Sequence, residues 1–317
     1  MSDLNQRGKP KFSIDEQIKR LEAKGVTFAL YSKQKTMTYL EENNSFFRIK
    51  SYAKNYERSS RGKYSNLDFA YLVEFATIDF YFRRLILSWS LDIEHHLKLI
   101  LLQHFNNNTR EDGYSIVRDF FLTYPNIKTE IDGKSQSQSS SFVANLLKKY
   151  GTNLALWNLI EVLSFGAFME FFKFYFSKHS QGKNYKEYYS LAFSTRVLRN
   201  ASAHNNCMLN TLRIPYNKNF KPSKYVSGLI SKIPVISKDT RKKLLASPIV
   251  HDFFALLFLF DEVCRSKSLK KARMRDLLFF LNRCKKHKEY FVRENFFTSR
   301  FDAICKIARF MIKKSKN

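Results

Sequence analysis

A guanidinium and an imidazole five residues apart, in the run Arg199-Asn200-Ala201-Ser202-Ala203-His204, are the minimum equipment for cutting RNA without a metal. Proton transfer at neutral pH needs a group that titrates near 7, and histidine is the side chain whose ordinary pKa lies there. The pentavalent phosphate formed as a ribose 2′-oxygen attacks needs fixed positive charge, which a planar guanidinium can give to two phosphate oxygens at once. The expected products are a 2′,3′-cyclic phosphate and a 5′-hydroxyl, and DNA, lacking the 2′-hydroxyl, should survive. On an unbroken helix five residues turn the chain through about 500°, so the two side chains point about 140° apart and lie about 7.5 Å apart along the axis. Convergence therefore asks for a helix end near His204, and Asn205-Asn206 is a suitable stop. The imidazole would then stand in or just past the last turn, where the helix dipole favours its protonated form. Pairing of two chains about a two-fold axis, with two Arg199 and two His204 in one cleft, is the second route to convergence. Taken alone, an Arg-x4-His spacing is common. Its plain alternative is a surface arginine beside a capping histidine.

The charge around the pair gives it a partner. Among 317 residues, 55 are Lys or Arg and 28 are Asp or Glu, a net charge of +27. The excess is concentrated: residues 1–210 hold 29 basic and 20 acidic side chains, whereas 211–317 hold 26 and 8. A polyanion-binding surface built by the last third is the reading that this favours over a merely solvated basic face. Lys270, Lys271, Arg273, Arg275, Lys285 and Lys286 are its candidate RNA contacts. An acidic membrane surface competes poorly, because no basic helix with a clean apolar face stands out.

The elements that must position these groups read as helices. With 44% hydrophobic and 16% aromatic residues but only nine Gly and six Pro, the chain should bury a large core between long helices. Ser13-Ile14-Asp15-Glu16 is a capping box for a helix that Gly25 stops. A short helix is expected over Met37–Glu42, ended by Asn43-Asn44. In Phe46-Phe47-Arg48-Ile49-Lys50-Ser51-Tyr52 the interleaving of rings and cations reads first as a packed helix with snorkelling cations, and second as a base-stacking segment. Ser65-Asn66-Leu67-Asp68 signals the start of the longest helix, running to about Phe105 on a ladder of Tyr71, Phe75, Ile78, Phe82, Leu85, Trp89, Ile93, Leu97 and Ile100, with Asp79 and Arg83 paired on its surface. Residues 106–142 read as a break, with a mobile loop from Gly133 to Ser141. Helix is expected again over Ala144–Tyr150, over Trp157–Phe176 with an interruption at Gly166, and through Tyr188, Leu191, Thr195 and Leu198 to Arg199. Pro215–Pro222 reads as a connection. Helices over about 249–264, 267–287 and 297–315 complete an all-α, multi-helix bundle, divided by sequence into an N-terminal helical segment (1–60), a core (61–212) and a basic C-terminal region (213–317).

Other chemistry is less supported. Cys207, Cys264, Cys284 and Cys305 form no CxxC pair and read as reduced thiols, mostly in the core. Asp92 and His96 are spaced to share a ligand but lack a third partner, so no metal and no cofactor is expected. Glu94 is a candidate for neutralising or orienting Arg199 across the bundle. His104, His179, His251 and His287 have no sequence neighbours that suggest catalysis, and Trp157 reads as a core anchor. No run of about 18 apolar residues lacks charges, and Met1 to Arg7 holds no signal region, so a cytoplasmic protein without a membrane span is expected.

Several stretches resemble the Abi family of bacterial abortive-infection proteins, of the AbiD/AbiF kind. They are Lys9-Pro10 leading into Ile14-Asp15-Glu16-Gln17-Ile18, Phe47-Arg48-Ile49-Lys50-Ser51-Tyr52, Asp79 through Arg83 to Ile93-Glu94, Trp157 to Glu161, Leu163-Ser164-Phe165-Gly166, and Leu198-Arg199-Asn200 through His204-Asn205. Arg199-Asn200 followed by His204 is also similar to the Arg, polar residue and His signature of HEPN (higher eukaryotes and prokaryotes nucleotide-binding) ribonucleases. Ala155 stands where a proline often precedes the tryptophan, and the last 100 residues carry no motif of the family. The resemblance implies an all-helical HEPN-type fold, a dimeric metal-independent endoribonuclease, a role in phage defence or toxin–antitoxin control, and a structured non-coding RNA as a restraining partner. Within it Arg199 would bind phosphate, His204 would handle protons, and Asn200 and Asn205 would support them. The alternatives are a non-catalytic protein that holds a regulatory RNA, and a structural or sensor component of a defence complex that binds protein.

Overall fold

Ser13 accepts a hydrogen bond from the Glu16 amide while Glu16 accepts one from the Ser13 amide at 2.7 Å, and this capping box opens α1 (Ile14–Ala23) of the computed structural model. The structure describes residues 11–136, 141–151, 153–179, 185–213, 219–293 and 295–314. Lys9-Pro10, residues 137–140 of the expected loop and residues 215–218 of the expected connection lie outside them. Gly25, at φ +85°, turns the chain where a Cβ would come within 2.5 Å of the Tyr64 carbonyl oxygen. A two-residue strand, β1 (Val26–Thr27), then pairs in parallel with β2 (Leu67–Asp68).

Between the strands lie α2 (Lys33–Glu42), α3 (Phe46–Tyr52) and a 3₁₀ turn over Ala53–Asn55. The second helix starts four residues before the expected Met37, because Ser32 caps it by accepting from the Lys35 amide. The longest helix, α4 (Phe69–Asn106), by contrast begins later than Ser65. Its cap is Asp68, whose Oδ1 accepts from the Ala70 amide at 2.9 Å while Oδ2 accepts from the Thr27 hydroxyl and the Ala29 amide, both at 2.8 Å. One carboxylate thus caps the helix and clips the N-terminal segment to it.

The expected break at 106–142 contains two helices, α5 (Ser115–Thr123) and α6 (Pro125–Gln136), so Gly133 is helical rather than in a loop. They are followed by α7 (Ser141–Tyr150), α8 (Leu156–Val162), α9 (Phe165–His179) and α10 (Tyr185–Ala203). The interruption expected at Gly166 falls instead at Leu163-Ser164, where the chain leaves helical geometry. What approaches Gly166 is the Arg196 side chain, 3.4 Å from where a Cβ would stand. Trp157 is 43% exposed, not a core anchor; its indole covers Gly113 and leans on Phe105 and Tyr114.

The last third forms α13 (Pro248–Val263), α14 (Lys267–Arg283) and α15 (Asn295–Lys314) close to the expected positions, preceded by α11 (Lys224–Ser231) and α12 (Lys238–Leu245), two helices that were not expected and that Ser223 and Ser237 cap. Fifteen α-helices and two short strands among the described residues make the fold an all-α multi-helix bundle. Helix α13, apolar on all sides, is buried against both α10 and α4, and one continuous core joins residues of all three sequence segments. Full burial of a Phe or Leu is worth about 1.5–3 kcal/mol, so α13 is the element that fixes α10 in place. No single helix among the described residues is long and apolar enough to cross a membrane.

Candidate active site

The site is built from the C-terminal end of α10. Leu191, Thr195, Leu198 and Ser202 face the core, while Phe193, Val197, Asn200 and His204 lie within one narrow stripe on the solvent side. Arg199, at the flank between the two, is half-buried. The helix ends as the amides require. Asn205, at φ +53°, donates from its N–H to the Ser202 carbonyl at 3.1 Å, and Asn206 donates to the Ala201 carbonyl at 2.9 Å. This is a Schellman motif, in which asparagine serves as the left-handed residue. His204 is therefore the C-cap, exposed and beside the negative end of the helix dipole, as the Asn205-Asn206 stop predicts.

Asn200 accepts a hydrogen bond from Arg199 Nη1 at 3.2 Å, which aims the guanidinium along the helix surface. No carboxylate among the described residues pairs with either Arg199 or His204, so both remain available to an anion. Glu94 does not meet Arg199. Its carboxylate pairs with Lys98 at 3.4 Å, and it stands fifteen residues along α4 from Asp79, about 22 Å by helical rise. Asp79, by contrast, is directly behind the turn that follows His204.

That buried carboxylate organises the site. Asp79 is fully buried and accepts from the Tyr52 hydroxyl at 2.6 Å, from the Met208 and Leu209 amides at 3.1 Å each, and from Arg83. Burial pushes its carboxyl above the usual range, while the hydroxyl, the guanidinium and the amides draw it back. The Asp79–Arg83 pair is present as expected, but in the core instead of on the surface. Arg48 donates to the Asn205 carbonyl, so α3 and α4 grip the 204–209 turn from two sides. Beside it Phe47 is 83% exposed, whereas Ile49 and Tyr52 are buried, so α3 is a packed helix with one ring left outside.

The basic candidates divide. Lys270 is held by Asp261 at 3.1 Å, and Arg273 is held by Asp92 and by Asp276 at 2.7 Å, which ties α14 to α4 and removes both from a free cationic surface. Lys271, Arg275, Lys285 and Lys286 are exposed, and no carboxylate among the described residues binds them. Asp92 is thus an ion-pair partner, and His96 Nε2 lies 3.1 Å from Cys264 Sγ. Burial lowers the pKa of the histidine and raises that of the thiol, so both shifts favour the neutral forms. Cys264 and Cys305 are buried, and all four thiols are free. Among the described residues no cluster of His, Cys, Asp and Glu has the arrangement of a metal site.

His104 and His179, without sequence neighbours of note, are brought to one polar cleft of about 450 Å³. His104 Nδ1 is 3.0 Å from the Tyr175 hydroxyl, and His179 Nε2 is 2.6 Å from Glu111. The first contact joins α4 to α9, and the second fastens the 107–114 turn to α9. His251 accepts from the Ser223 amide at 3.1 Å, and His287 lies 3.2 Å from Glu289.

A family model described as Abi-like protein matches residues 38–210, from the middle of α2 through the turn after α10. The matched stretch contains Arg48, Tyr52, Asp79, Arg199 and His204, and it ends short of the basic last third. No curated protein and no solved structure matches the chain.

Proposed function

The chain belongs to the Abi-like protein family, and from that premise we propose that it is a metal-independent endoribonuclease of the HEPN type serving bacterial abortive infection. The supporting observation is the end of α10: a guanidinium that no carboxylate among the described residues pairs and an exposed C-cap imidazole on one helix, with a buried carboxylate network bracing the turn behind them. Arg199 would hold the scissile phosphate and stabilise the charge that develops on it. His204 would move a proton between the reacting oxygens and water, and Asn200 would keep the guanidinium aimed. The 2′-oxygen attacks phosphorus, the bond to the 5′-oxygen breaks, and a cyclic phosphate and a 5′-hydroxyl remain.

In a single chain the two side chains still diverge by about 140°. Phe193 and Val197, exposed in line with Asn200 and His204, form an apolar stripe that suits a second copy lying across α10. The proposed site is therefore shared, with Arg199 of one chain facing His204 of the other. A bound non-coding RNA, as the resemblance implies, would act by occupying Arg199 and the exposed cations of the last third.

Purified protein and end-labelled RNA test the reading. Cleavage in the presence of EDTA that disappears in both Arg199→Ala and His204→Ala, with RNA binding retained, is the expected result. Strict dependence on an added divalent metal would overturn the mechanism. Binding without cleavage, unchanged by either substitution, would support a non-catalytic RNA-holding protein instead.

A further inference from the structure

Helices α4 and α14 carry a strip of side chains that the site described above does not use. The Arg84 guanidinium lies 4.2 Å over the Phe80 ring, Phe80 meets Tyr81 edge-on at 5.5 Å, and Tyr81 meets Phe279 edge-on at 6.0 Å. These contacts make a continuous run of rings from one helix to the other. It faces outward: Phe279 is 61% exposed, Phe80 and Leu278 are exposed, and so is Arg84. On α14, Lys271, Arg275 and Phe279 follow one another at intervals of four and so share a face. Two carboxylates of these helices, Asp276 and Glu74, are paired with Arg273 at 2.7 Å and with Arg283 at 2.9 Å. A cationic strip results in which Arg84 and Arg283 cover the Phe80 and Tyr81 rings and Phe279 is left bare, and its own acids are already paired.

We propose that this α4–α14 face is a platform for single-stranded RNA, deepening the nuclease reading, on which it rests, by naming the form of RNA delivered to Arg199 and His204. Bases that are not paired can lie against the Phe279 ring and the Arg84 plane, while Lys271 and Arg275 take the phosphates. A duplex hides its bases and offers such rings nothing. Position along α4 supports the link to the cleft. Asp79, whose carboxylate holds the turn after His204, immediately precedes Phe80, so the strip begins at the level of the candidate site and continues around the helix.

Fluorescence anisotropy on the full chain carrying His204→Ala, which leaves the probe uncut, provides the test. The probes are a 12-nucleotide RNA single strand and a blunt RNA duplex of the same length. The single strand should bind at least about 10-fold more tightly, and Phe279→Ala should weaken it by about 5- to 150-fold. Phe279→Trp should restore it, and Arg275→Ala should lower the slope of log affinity against log salt by about one. Equal binding of strand and duplex, or full affinity in both Phe279→Ala and Phe80→Ala, would overturn the platform. So would conversion of a dimer to a monomer by Phe279→Ala with RNA binding intact, which would show a second copy seated on this face. Single-strand binding of the expected pattern by a parent chain that never cuts RNA would sink the nuclease and leave the platform standing.

Discussion

Asp79 shows how one carboxylate can govern a site it does not enter. It is fully buried, and removing it would leave Arg83 as a buried, uncompensated charge. Breaking a buried pair in this way costs about 3–5 kcal/mol, so Asp79→Ala should lower the unfolding free energy by that much in a urea titration. Tyr52→Phe, which removes a single hydrogen bond to the same carboxylate, should cost about 1–3 kcal/mol. Additive effects of the two in a double-mutant cycle would show that the hydroxyl and the carboxylate are not coupled. A hint of this burial is visible in the chain: Asp79 and Arg83 lie next to Ile78 and Phe82 of the apolar ladder, on the side that packs. Nothing in the spacing shows that Tyr52, Met208 and Leu209, up to 130 residues distant, would supply the other donors. His104 adds a pH dependence. Burial, and then the nearby His179, hold its pKa below the ordinary histidine value, so the unfolded chain takes up a proton there more readily than the fold does. Stability is therefore complete above about pH 6.5 and falls as the pH drops through that value. His104→Gln should narrow the difference between unfolding free energies measured at pH 7.5 and pH 5.5.

Helix ends were the most legible elements, because their chemistry is local. The Ser13 capping box and the Asn205-Asn206 stop both form where the residue types require them. Where two local signals compete, tertiary contacts decide. Asp68 displaces Ser65 as the cap of α4 because its second oxygen is held by Thr27 and Ala29 across the small parallel sheet. The 106–142 stretch was opaque for a related reason: Ile116, Val117 and Phe120 bury a short apolar face whose partner, Phe171, comes from α9. At the candidate site the positive φ of Asn205 gives a direct test of the helix stop. Asn205→Ala forces a side chain with a Cβ and no local polar group into left-handed backbone and should cost about 1–2 kcal/mol. Asn205→Gly should be neutral or slightly stabilising. Cleavage should follow the same order, lowered by Ala and retained by Gly. Equal loss in both variants would mean that the asparagine side chain, not the backbone it permits, is what the reaction uses.

For the molecule as a whole, the number of chains that complete a cleft is the decisive property. Helix α10 is clamped on its inner side by α13 and α4, so its outward stripe of Phe193, Val197, Asn200 and His204 is a rigid surface. Two such stripes meeting about a two-fold axis would build two equivalent clefts, each taking its guanidinium from one copy and its imidazole from the other. Phe193→Asp should then shift the chain from dimer to monomer in light scattering and abolish cleavage, while the melting temperature of the monomer stays close to that of the parent. Mixing inactive Arg199→Ala chains with inactive His204→Ala chains is more specific. In a mixed pair one cleft has lost both groups and the other has kept both. Half of the pairs are mixed at equilibrium, so about a quarter of the parental activity should return. Clefts completed within one chain would return none, because each parent carries its defect into every cleft it forms. A quarter of the activity, appearing at the rate at which subunits exchange, would place the scissile phosphate between two copies of α10.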